Sequence, residues 1–134
     1  MDAALVFPML IMLTFGSVEF GYFFFAKHTF QGAAREGARA AINAGSTNAD
    51  VLAAVSRSMT AAGFAPAKYT VAIRNASDTA NVDVATRARN SSILVRVSSP
   101  WNTVKVMPPL LLHTTRSDGT VRVVAGQTVM RKEG

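Results

Sequence analysis

The stretch VEFGYFFFAKHTFQGAAREGARAAI, Val18 to Ile42, decides how the chain is organised. Its left half is a membrane-grade apolar run with one carboxylate, Glu19, set inside it. Its right half is rich in alanine and glycine and carries Arg35, Glu36 and Arg39. Phe30, Ala33, Ala34, Gly37, Ala38 and Ala41 recur at helical spacings, so one helix is predicted straight through the junction.

Toward the N-terminus the apolar run reaches back to Ala3, and from there to Ala26 only Pro8, Thr14, Gly16, Ser17, Glu19 and Gly21 interrupt it. As a helix this span measures roughly 36 Å, enough for a hydrocarbon core of about 30 Å. A secretory signal peptide would need a basic start, a shorter apolar core and a small-residue cleavage site. The run begins Met1-Asp2 and is too long, so a retained anchor is expected. Pro8 lies in the first turns, where a missing N–H does least harm. The helical pattern continues to about Ala44, and Asn43-Ala44-Gly45 supplies its stop.

Toward the C-terminus Thr47, with Asp50 three residues on, resembles a capping box. Val51, Leu52, Val55 and Met59 follow as one apolar stripe, and Gly63 closes this second helix. Three strand signals come next. Tyr69, Val71 and Ile73 alternate with polar neighbours within Lys68–Arg74, and Ile93, Val95 and Val97 alternate with Arg96 and Ser98. Thr120–Arg131 places Val121, Val123 and Ala125 on one face, after an Asp118-Gly119 turn. A polar loop, Asn75–Ser92, joins the first two strands, and a segment containing Pro108-Pro109-Leu110-Leu111-Leu112 joins the last two. The expected class is α+β: a long N-terminal helix, a second short helix and a small antiparallel sheet of about three strands. Residues 1–27 read as a transmembrane or filament-core helix. Residues 28–134 read as its continuation plus a small globular domain.

Composition removes several function classes. The 134 residues include 14 lysines and arginines against 8 acids, but the cations are scattered, without the patch that nucleic-acid binding requires. There is no cysteine, which excludes disulfides and thiol chemistry. His28 and His113 stand far apart with no second ligand at metal spacing, so neither a metal nor a cofactor is expected. No GxSxG, HExxH or glycine-rich phosphate loop occurs. Asp50, Asp78, Asp83 and Asp118 fall at caps, loops or turns, where local backbone hydrogen bonding accounts for them. An enzyme is not expected.

Glu19 is the costly residue. A charge near the bilayer centre costs at least about 2.5 kcal/mol, so the carboxyl must be protonated, displaced toward an interface or paired. Gly16 and Gly21 nearby would let another backbone approach. In the following segment Ala33, Gly37 and Ala41 form a row of small residues, and Glu36 and Arg39 can pair across three positions. Gly32 and Gly37 each lower helix propensity by nearly 1 kcal/mol, which close packing would have to offset. That packing is against another subunit's helix or against the protein's own sheet; the sequence fits both.

Ala4-Leu5-Val6-Phe7-Pro8, Gly16-Ser17-Val18-Glu19-Phe20-Gly21 and Gln31-Gly32-Ala33-Ala34-Arg35-Glu36-Gly37-Ala38-Arg39 together resemble the TadE-like proteins, minor pilins or pseudopilins of tight-adherence (Tad) pili. The ending Val129-Met130-Arg131-Lys132-Glu133 is also similar to theirs. The resemblance is close over the first ~42 residues and holds only in outline beyond them. It implies a type IV pilin-like subunit made with a basic leader, processed by a prepilin peptidase and held in the bacterial inner membrane by a single pass. The globular part would lie outside the cytoplasm, and the subunit would join or prime an extracellular pilus used for surface attachment. Asp2 falls where the family has an acid near the mature N-terminus, usually glutamate, and Tyr22 stands where it often has a cation. Lys27, Arg35 and Arg39 by themselves would draw the C-terminal part into the cytoplasm; a basic leader would reverse that.

The expectation is therefore a non-catalytic, membrane-anchored subunit, in homo- or hetero-oligomeric contact with other pilin-like subunits and the pilus assembly machinery. Its contact residues would be Asp2, Gly16, Glu19, Gly21, Gly32, Ala33, Arg35, Glu36, Gly37 and Arg39. The alternative is a membrane-tethered extracytoplasmic binding or adhesion module acting through Trp101 and the long loops.

Overall fold

The computed structural model describes residues 3–106 and 114–133. Asp2, the prolines and leucines of 108–112, and His113 lie outside the described residues. The element order is α1 (Ala3–Ile42), α2 (Asn48–Ala61), a 3₁₀ turn at Pro66–Lys68, β1 (Thr70–Asn75), β2 (Ser92–Pro100), a short α3 (Trp101–Val104) and β3 (Val123–Arg131). This is the α+β arrangement expected, with one antiparallel sheet in the order β1-β2-β3.

The forty residues of α1 make a rod of roughly 60 Å. It ends at Ile42, and Gly45 beyond it takes a left-handed φ of 77° that turns the chain back. The restart is the capping box anticipated from Thr47 and Asp50. Thr47 donates its N–H to Asp50 Oδ2 at 2.8 Å, and Asp50 donates its own N–H to Thr47 Oγ1 at 3.4 Å. These bonds satisfy two donors that a helix start otherwise leaves open.

α2 runs back alongside α1, and both cover the inner face of the sheet. The core joins Phe30, Ala34, Ala38 and Ala41 of α1 to Val51, Val55 and Met59 of α2, over Ile73, Ile93, Val95, Val97 and Val124. One detail differs from the sequence expectation. Leu52 was placed on the buried stripe of α2, yet it is 46% exposed and Ala54 takes its place. The stripe that packs against α1 is Val51, Ala54, Val55 and Met59, and Leu52 lies at its margin.

Val121, Val123 and Ala125 share one side, as expected, and it is the solvent side; Val124 and Gly126 point inward. The reason lies at Gly126. A Cβ there would fall on the backbone of Phe30 and Gln31, so the helix crosses β3 at a point where only glycine allows it. The loop between β1 and β2 is also anchored at an apolar residue. Val84 is fully buried, donates its N–H to Asn48 Oδ1 at 2.9 Å and accepts from Lys132 Nζ at 2.5 Å.

The sheet lies lengthwise along α1. At one end Pro100 pairs with Val123 and Trp101 packs on Tyr22 and Phe23. At the other, Glu133 donates its N–H to the Ile42 carbonyl at 3.2 Å.

Candidate functional site

The surface of α1 changes character along its length. From Val6 to Phe15 every residue is exposed, Met9 and Leu13 at 72% and 68%. The polar side chains in this region satisfy themselves locally. Thr14 Oγ1 donates to the Leu10 carbonyl and Ser17 Oγ to the Leu13 carbonyl, each at 2.8 Å. A hydroxyl bonded to its own preceding turn can enter hydrocarbon at little cost. α1 is long and apolar enough to cross a membrane.

Packing on the rest of the chain starts at Gly16. From there Gly16, Glu19, Phe23, Ala26, Phe30, Ala33 and Gly37 follow at intervals of three and four residues, each buried except the half-buried Phe23. Glu19 is only 4% exposed. With Val18, Tyr22, Trp101, Lys105 and Val106 it lines a pocket of about 90 Å³. The cover over this pocket is braced from the helix. Tyr22 donates its hydroxyl to the Val104 carbonyl at 2.8 Å, and Trp101 meets the Phe23 ring edge-on at 5.2 Å. The Trp101 Nε1 is buried and has no acceptor among the described residues.

The small-residue segment divides between two faces. Ala33, Gly37 and Ala41 are turned into the protein's own core. A Cβ on Gly37 would stand 2.6 Å from Val55 Cγ2 and 3.1 Å from Val95 Cγ1. The opposite face is open. Gly21, Phe24, His28, Arg35 and Arg39 are exposed at helical spacings, with Gly32 half-buried among them and Glu36 beside Arg35. Added Cβ atoms at Gly21 and Gly32 would meet nothing within 4 Å. The expected contact residues within the described part thus occupy three settings: Glu19 under the Trp101 cover with the buried Gly16 one turn before it, Ala33 and Gly37 inside the core, and Gly21, Gly32, Arg35, Glu36 and Arg39 on the free face.

Gln31, quoted above only as part of a motif, has a definite position. It donates from Nε2 to the Gln127 carbonyl at 2.9 Å and accepts the Gln127 N–H on Oε1 at 3.2 Å. Its side-chain amide thereby occupies the outer edge of β3 as a neighbouring strand would. The residues that sequence reasoning missed here are Gln31, Gly126 and the Lys105–Val106 cover. Only Gly126, a glycine inside a strand pattern, carried a local signal. Near the cover, Asp118 accepts from the Thr120 hydroxyl at 2.6 Å and the Thr120 N–H at 2.9 Å. These bonds hold its carboxyl below the usual carboxylate range, the hydroxyl contributing most.

Residues 1–39 match the family model described as TadE-like protein. The likeness to that family is over this segment. No curated protein and no solved structure matches the chain. The TadE-like segment ends inside α1, at Arg39, so it holds both the bare apolar region and the free face, while α2 and the sheet lie beyond it. Every expected contact residue falls within it. Among the described residues no three histidines or acids come together as a metal site.

Proposed function

We propose that this chain is a membrane-anchored, pilin-like structural subunit, a minor pilin or pseudopilin, that takes part in assembling a tight-adherence pilus for surface attachment. The observation that carries the reading is the TadE-like match on a helix whose residues Val6 to Phe15 are all exposed. A bare apolar rod of this kind is stable in a bilayer or among other such rods, not in water.

Residues 1–27 serve as the anchor and, after assembly, as filament core; residues 28–134 form the head. The inner membrane holds the chain in a single pass, and the head stands outside the cytoplasm. Gly21, Gly32, Arg35, Glu36 and Arg39 receive a neighbouring subunit's helix, the two glycines admitting a close backbone and the charges fixing its register. Glu19 acts beneath the cover and the buried Gly16 one turn before it, and Asp2 serves processing by a prepilin peptidase or docking. Ala33 and Gly37 act indirectly, by holding α1 rigid against the head.

The test is to shear and purify the pili, then ask by mass spectrometry whether this chain is present and at which residue it begins. Absence from both pili and assembly complexes overturns the proposal. A head cut away after Asn43 is not a usable probe, because Phe30, Ala34, Ala38 and Ala41 are the centre of its core.

A further inference from the structure

The end of the head nearest the anchor has an uneven charge distribution and a defined depth. Trp101–Val106 lies beside Val18–Tyr22, where Phe20, Phe24 and Phe25 still give α1 an exposed apolar surface. The first exposed cation on the helix is Lys27, roughly 12 Å further along the axis than Glu19. The cover therefore sits on the membrane side of the level at which α1 becomes polar. Val106 within it is 72% exposed.

Beside the cover, Trp101 donates its N–H to the Arg122 carbonyl at 2.7 Å. Arg122 closes a small loop that folds back through the Thr115–Val121 bridge and carries Arg116. Lys68 of the 3₁₀ turn is at the same end, its carbonyl accepting from Ser99 Oγ. The acids on this end are two. Asp118 accepts from Thr120 and lies within the field of Arg116, and the buried Glu19 shares its pocket with Lys105. Asp50, Asp83 and Glu133 are near the other end, at the α2 start and beyond Arg131. Exposed valines beside an excess of cations (Lys68, Lys105, Arg116 and Arg122 against Asp118 and Glu19), next to a membrane helix, form a surface suited to a bilayer interface: apolar groups enter the headgroup layer and cations meet lipid phosphates.

We infer that this end of the head rests on the bilayer crossed by α1, with Lys105, Arg116 and Arg122 on anionic lipid headgroups and Val106 and Val121 dipping among them. The inference rests on the anchor reading above. It gives the head a fixed standing height and tilt on the membrane before any subunit joins it.

The chain has no cysteine, so Val106→Cys offers a single attachment point for an environment-sensitive NBD label. The full chain would be reconstituted into vesicles of phosphatidylcholine alone or with phosphatidylglycerol. Insertion is scored separately, by resistance to alkaline carbonate extraction. The expected result is blue-shifted emission, quenched by nitroxide-labelled lipid, at position 106 and not at Asp83→Cys. Phosphatidylglycerol should strengthen the quenching. The triple change Lys105→Ser, Arg116→Ser, Arg122→Ser should remove most of that gain, while Arg116→Lys with Arg122→Lys keeps it. A carbonate-resistant chain whose position 106 is unquenched, or whose quenching ignores both lipid charge and the triple change, overturns the inference and leaves the anchor standing. A chain that washes off the vesicles overturns both.

Discussion

Gln31 and Gln127 are held together by two hydrogen bonds in which a helix side chain stands in for a β-strand. The Gln31 amide donates to the Gln127 carbonyl and accepts its N–H, closing part of the outer edge of β3. An open edge carries unpaired backbone groups and invites pairing with other chains. Gln31→Leu keeps helix propensity but leaves both Gln127 groups without their partner. The expected loss is about 1 kcal/mol, the ordinary net contribution of such bonds, with an increased tendency to aggregate. Urea unfolding in detergent measures the first effect and light scattering the second.

Two glycines meet obstacles of different kinds, and their alanine variants should differ accordingly. At Gly126 the new methyl would fall on the α1 backbone, which cannot yield without shifting the helix off the sheet. At Gly37 it would meet the methyl ends of Val55 and Val95, which can turn or move slightly, while the helix gains up to about 1 kcal/mol in propensity. Overpacking costs typically about 1–3 kcal/mol, so Gly126→Ala should sit at or above the top of that range and Gly37→Ala near its bottom. Equal melting temperatures for the two variants would show that the helix–strand crossing is not rigid.

The capping box gives a stability contribution with a defined pH dependence. Asp50 is fully exposed, and its carboxyl is held below the ordinary value, first by the Thr47 N–H and then by the Thr47 hydroxyl. A depressed folded-state value means that the contribution is complete above the unfolded carboxylate value, about 3.9, and is lost as pH falls through the lower folded value. Thr47→Ala should cost about 1 kcal/mol near neutrality, as loss of a threonine cap generally does. The gap between the variant and the parent protein should then narrow in acid by the share of the hydroxyl–carboxylate bond, since alanine keeps the backbone N–H. Denaturant midpoints measured across that range check it, and a constant gap would remove the bond from the Thr47 hydroxyl to Asp50 from the account.

These examples also show which parts of the fold were legible in the sequence. The capping box, the long helix and the first two strands are specified by residues close together in the chain, so local pattern found them. The inward face of β3 is specified by a contact between Gly126 and Phe30, nearly a hundred positions away, and no alternation pattern contains it. Leu52 failed for a similar reason, since burial on α2 depends on where α1 lies. The small residues of α1 were recognised, but smallness permits close approach without naming the surface that approaches. Only the folded arrangement separates Gly37, which faces Val55, from Gly32, which faces open space. Gln31 was hidden because its polarity suits a solvent-facing helix position as well as a strand edge.

Glu19 allows anchoring and assembly to be separated experimentally. It is 4% exposed, beneath Trp101 and Lys105, at a level where the surrounding helix surface is apolar. A carboxylate there opposes insertion by at least about 2.5 kcal/mol at mid-bilayer, and less toward the interface. Glutamine is nearly the same size and carries no charge, so Glu19→Gln should fit the same pocket and insert at least as readily. If anchoring were the whole task, the substitution would be neutral or favourable. A role in docking or assembly predicts the opposite in a second measurement: unchanged chain in the membrane fraction, but a several-fold fall in sheared pili. Normal pilus yield from the Glu19→Gln chain would show that assembly does not use the carboxylate.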